Sequence, residues 1–153
     1  MSIRNRTEMF RTSAGLIGAA VVGAAGLVHA VWGAGSTWPA DSSDELADLV
    51  VGKRPMPGPP ECAAVATLLG AATIATMLAT VGGQGPIVGL TRRGSKIAAG
   101  VLLVRGVGGL AAEALTVGDL APEFRRWNRR LYSPLCIALG ALIGLGAGVE
   151  VRR

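Results

Sequence analysis

From Cys62 to Val81 the chain runs through 20 residues without a charged side chain. As a helix this stretch rises roughly 30 Å, the thickness of the hydrocarbon core of a bilayer. Three more stretches resemble it. Ala14 to Ala34 is interrupted only by His29 and Trp32, Lys96 to Val117 carries Arg105 and Glu113 in an otherwise apolar run, and Pro134 to Val149 is apolar throughout. With half of its 153 residues hydrophobic, 16% charged and a mean hydropathy of +0.48, the chain is too greasy for an ordinary soluble domain. The pattern predicts an all-α fold, a bundle of four transmembrane helices over about 14–34, 62–81, 97–117 and 134–149. One polytopic domain accounts for residues 1–153.

The apolar residues are mostly Ala, Val, Leu and Gly, the usage of closely packed membrane helices. Gly15, Ala19 and Gly23 recur every four residues and predict a seam in the first span. Gly140, Gly144 and Gly148 form a doubled GxxxG in the fourth, suited to packing inside the bundle or to contact between copies in a homo-oligomer. Val28-His29-Ala30 resembles a signal-peptidase site, but the apolar run before it is longer than a signal peptide needs, so an uncleaved span is expected.

The connections carry their own signals. Ser42 and Glu45 form a capping box ahead of Leu46, Leu49 and Val50, which predicts a short interfacial helix ending near Gly52. Residues 82–94 read as a tight glycine-rich connection. Between Gly118 and Ser133, Phe124, Trp127 and Leu131 share one face while Arg125, Arg126, Arg129 and Arg130 cover the rest, the pattern of a second helix lying in the headgroup layer. Ser133 and Pro134 then suit the N-cap and first position of the fourth span.

Bases near the span ends favour a cytoplasmic N- and C-terminus in the cell (inner) membrane. On that side lie Arg4, Arg6, Arg11, Arg92, Arg93, Lys96, Arg152 and Arg153; on the outer side lie Lys53, Arg54 and the four arginines from Arg125 to Arg130. The pI near 10.2 follows from these flanking charges, and no basic face interleaved with aromatics suggests nucleic acid.

An ionised group inside a span is costly and marks a functional site by default. Arg105 is such a group. It lies eight residues from Glu113, roughly 12 Å along the axis, too far for a salt bridge within the helix. Thr73, at a similar depth in the second span, is the expected company for Arg105. His29, Trp32, Arg105, Glu113 and Tyr132 are expected to line a polar pocket in the outer half of the membrane. The occupant suited to it is an anionic lipid or small anionic ligand, or a partner subunit. Cys62 and Cys136 at two span starts leave open a disulfide or, with His29, a metal site in a membrane redox enzyme. A small transporter with Glu113 as its titratable carrier is a further alternative. No HExxH, GxSxG, Walker loop, CxxC or Ser/His/Asp set is present, so no catalytic residue and no cofactor is expected.

Several runs together carry a resemblance: His29-Ala-Val-Trp32-Gly, Trp38-Pro39-Ala40, Pro59-Pro60-Glu61-Cys62, Arg105-Gly-Val-Gly, Trp127-Asn128 and Leu131-Tyr132-Ser133-Pro134-Leu135-Cys136. The chain resembles the small bacterial four-span membrane proteins grouped as domain of unknown function 3995. The resemblance implies the four-span architecture and no particular activity. It also implies an acidic residue where this chain has Asn128.

Overall fold

The computed structural model describes residues 3–115 and 120–148, and these are helical wherever they are regular. The elements are α1 (Ile3–Gly33), α2 (Ser43–Val50), α3 (Pro59–Val81), α4 (Pro86–Ala114), α5 (Pro122–Trp127), a π-helical turn over Asn128–Tyr132, and α6 (Ser133–Ala147). Among the described residues four helices are long and apolar enough to cross a membrane: α1, α3, α4 and the continuous run Pro122–Ala147. The expected span ends at 116–117 and 149 lie outside the described residues, as does the start of the amphipathic segment at 118–119.

The four long helices form a ring in chain order. α1 packs on α3 and α6, α4 packs on the same two, and the ring closes between the last helix and the first. Its centre is built from Val22, Ala99, Leu139 and Ile143. Burial is inverted relative to a soluble protein. Leu68, Ile97 and Val104 are 69%, 68% and 73% exposed, whereas Thr76, Thr80, Ser95 and Ser133 are fully buried. Hydrocarbon around the ring makes sense of both facts, since apolar side chains lose nothing there and hydroxyls do. Thr76 and Ser95 donate to the carbonyls of Ala72 and Thr91, 2.7 and 2.9 Å away on their own helices. This is a multi-pass membrane protein.

Small residues bring the helices together. A Cβ on Gly146 would lie 2.5 Å from the Gly15 Cα, and one on Gly140 would lie 2.9 Å from the Ala99 carbonyl. Of the fourth-span seam, Gly140 is turned inward against α4; the close approach to α1 is made by Gly146, which is not one of the seam glycines. Gly144 meets only the Ala99 Cβ, at 3.9 Å. At the same end Arg11 reaches from α1 to the Gly148 carbonyl, 3.3 Å away.

Three boundaries differ from the sequence reading. α4 begins at Pro86, so Arg92, Arg93 and Lys96 ride on its early turns and the connection is only 82–85. Gly85 supplies the turn and Pro86 the preset first position. The segment before Ser133 is not a separate helix; it runs without a break into the fourth span. Phe124 and Asn128 face inward from it, while Trp127 and Leu131 stay exposed. Ser133 caps nothing, because the helix runs through it. Proline inside a helix clashes with the carbonyl four residues back, and the widened turn just before Pro134 relieves that crowding.

The short helix after Ser42 forms where its capping signal stands. Ser42 Oγ accepts from the Glu45 N–H at 3.1 Å, and Glu45 Oε2 accepts from the Asp41 N–H at 3.1 Å, one residue earlier than the capping box predicts. Arg54 binds Asp44 and Asp48, which share a face one turn apart. Its hydrogen bonds hold the Asp48 carboxyl below the usual carboxylate range. α2 and its flanks form a cap fastened to the fourth span. Gly52 O accepts from the Ala121 N–H at 2.9 Å, Tyr132 donates to Leu49 O at 3.3 Å, and Leu46 and Ala47 are buried. Gly52 has φ +82°, and a Cβ there would come within 2.8 Å of the Phe124 ring. Gly52→Ala should therefore loosen the cap by about 2 kcal/mol, combining left-handed strain with the clash. Limited proteolysis between 35 and 58 measures this; cleavage unchanged from the parent would contradict it.

Candidate functional site

Two glycines of α4 make room for a polar node at the capped end. A Cβ on Gly106 would press to 2.8 Å from the Ser133 carbonyl, so its absence lets the last helix come close. A Cβ on Gly109 would lie 2.5 Å from both Arg105 Nη1 and Ser133 Oγ. The Arg105 guanidinium thus rises one turn towards the capped end and occupies the space above Gly109.

Its partner is Asn128. The Asn128 Oδ1 accepts from Arg105 Nη1 at 3.4 Å and from Ser133 Oγ at 3.0 Å, while its Nδ2 donates to the Gly109 carbonyl at 3.0 Å. Two donors on one side and a carbonyl on the other fix the orientation of the amide. The expected company, Thr73, lies elsewhere. It donates to the Leu69 carbonyl at 2.8 Å and packs over Gly23 of α1. Asn128 is absent from the expected pocket lining, although the resemblance marks its position as one where an acidic residue is implied. The available signal is its spacing, four residues from Phe124, which puts an amide on the inward stripe.

Beside the node a cavity of about 460 Å³ opens between the bundle and the cap. α1 contributes His29 and Trp32, α3 contributes Glu61, Cys62 and Val65, and α4 contributes Arg105. Tyr132 closes it from the last helix, and Val50, Val51, Met56 and Pro57 roof it. The polar groups in its wall are held in place. His29 Nδ1 lies 2.8 Å from the Ala25 carbonyl, which only accepts, so in the neutral ring Nδ1 carries the hydrogen and Nε2 is the acceptor. The His29 ring meets Trp32 edge-on, with centroids 5.1 Å apart, and the indole N–H donates to Trp38 O at 2.6 Å.

Four of the five expected residues, His29, Trp32, Arg105 and Tyr132, line this one cavity. Glu113 does not. It lines a second cavity of about 230 Å³ with Gly109, Ala112, Leu120, Phe124, Arg125 and Asn128, and Arg105 and Val51 belong to both. Glu113 is 11% exposed and pairs at 3.6 Å with the largely exposed Arg129. That pair uses Oε1. Oε2 is buried and has no hydrogen-bond partner among the described residues.

A family model described as "Protein of unknown function (DUF3995)" matches residues 21–143, which include every side chain just placed around the two cavities. The chain belongs to this family. No curated protein and no solved structure matches it. In this DUF3995 protein Cys62 and Cys136 are both free thiols. Cys62 lies in the wall of the larger cavity, its thiol 3.7 Å from the Pro57 carbonyl, while Cys136 is half-buried farther along the fourth span. Among the described residues no three His, Cys, Asp or Glu side chains gather as metal ligands.

Proposed function

We propose that this DUF3995 protein binds an amphiphile, seating its anionic group against Arg105 and its hydrocarbon part in the larger cavity. One observation carries the reading. A guanidinium with five donors sits within an apolar span, and its single hydrogen bond among the described residues is a long one, 3.4 Å, to a neutral amide. A charged donor at membrane depth is strongly stabilised by an anion, and a bidentate phosphate or carboxylate fits the guanidinium fork. Val50, Val51, Met56 and Val65 suit an apolar tail.

Native mass spectrometry of the protein extracted gently from its own membrane is the test. The expected result is a co-purifying anionic amphiphile, lost in Arg105→Gln. Equal occupancy in parent and variant would end the reading.

The termini are assigned to the cytoplasm and the cap to the outer face of the cell membrane, because eight bases against six flank the spans on those sides. Lys53→Cys should then react with a membrane-impermeant maleimide in intact cells. Labelling only after lysis would reverse the orientation.

A further inference from the structure

Arg105 accounts for an anion, but it leaves Glu113 unexplained. A carboxylate that is 11% exposed keeps one oxygen buried with no donor among the described residues, and its ion partner Arg129 is 69% exposed and 3.6 Å from the other oxygen. A buried acceptor without a donor is costly, and a buried anion more so. Something with N–H groups suits that oxygen.

Placement narrows the choice. The Arg105 guanidinium lies over Gly109, and Glu113 stands four residues farther along the same helix, roughly 6 Å in rise. Both line the 230 Å³ cavity, where Arg125 adds a second guanidinium that does not bond Glu113 Oε2; the space is too small for a hydrocarbon tail and suited to a compact head group. The larger cavity, largely apolar apart from His29, Glu61, Arg105 and Tyr132, adjoins it across Arg105 and Val51.

We propose that the ligand is zwitterionic, with a phosphate against Arg105 and a primary ammonium donating to Glu113 Oε2. A phosphoethanolamine head group, P–O–C–C–N, spans about one helical turn from phosphate to ammonium, and its ammonium supplies the N–H donors that a quaternary ammonium lacks. The ligand class is a phosphatidylethanolamine-like amphiphile. This rests on the preceding reading of Arg105 and adds the second charge.

The experiment is titration of delipidated protein with phosphatidylethanolamine, phosphatidylcholine and phosphatidylglycerol of identical chains, read by native mass spectrometry. The parent should take the ethanolamine lipid about tenfold more tightly than the choline lipid, the scale of one charge-assisted hydrogen bond. Glu113→Gln should abolish that preference while still binding phosphatidylglycerol, which also shows that the variant is folded. A parent without the preference, a Glu113→Gln variant that keeps it, or phosphatidylglycerol binding as tightly as the ethanolamine lipid would overturn the ammonium assignment alone. Arg105→Gln binding all three lipids as the parent does would instead overturn the anion site itself. Free phosphoethanolamine separates the sources: strong competition by it supports a soluble zwitterion of the same chemistry, and lack of competition supports the lipid.

Discussion

Gly146→Val is expected to leave little folded protein. Even the first added carbon would lie 2.5 Å from the Gly15 Cα and 3.0 Å from the Thr80 hydroxyl, so backbone meets backbone and no side chain can swing aside. α1 must then leave α6, and with it the ring closure that joins the first helix to the last. Overpacking of this kind costs about 3 kcal/mol or more, a large share of a domain's stability. Gly144→Ala is the matched control, since its Cβ would make only an ordinary 3.9 Å contact with Ala99. Thermal unfolding in one detergent should separate the two variants clearly. Equal melting temperatures would mean that α1 and α6 do not pack as described.

Asn128→Leu is also expected to be costly, and most of the effect comes from one partner. Ser133 can turn its hydroxyl to a carbonyl of its own helix, and the Gly109 carbonyl lies within α4, so neither is stranded. Arg105 loses its one acceptor among the described residues, on a guanidinium that opens onto the two cavities. The bond itself is worth little, because interhelical hydrogen bonds in membranes average about 0.6 kcal/mol. Leaving the charge uncompensated costs more, and a loss of roughly 2 kcal/mol is expected. A double-mutant cycle checks the assignment. Arg105→Leu combined with Asn128→Leu should cost less than the two single changes added together. Strict additivity would show that Asn128 does not serve Arg105.

The four spans are legible because each is a predominantly apolar run near bilayer length, broken only by His29 in the first and by Arg105 and Glu113 in the third, and nothing else explains the stretch from Cys62 to Val81. The start of the fourth misleads for a local reason. Proline marks a helix start when the preceding turn is regular, and Pro134 instead follows a widened one. The site is legible in depth but not in azimuth. Counting residues places His29, Trp32, Arg105 and Tyr132 at one level, and that level holds a cavity. Counting does not say which way Thr73 faces, so depth alone matches it to Arg105 although it packs on α1. Glu113 misleads similarly. Eight residues beyond Arg105 it points roughly 80° round the helix at 3.6 residues per turn, into the neighbouring cavity.

The widened turn at Asn128–Tyr132 also sets the phase of the whole last helix. The inward residues run Phe124, Asn128, Ser133, Gly140 and Ala147, with steps of four, five, seven and seven. Only the five departs from helical repetition. A turn of ordinary width would carry the face of one half about 100° away from that of the other, so either the node at Arg105 or the packing on Ala99 and Gly15 would be lost. One surplus residue lets a single helix serve as the wall of the site at one end and as the closure of the ring at the other.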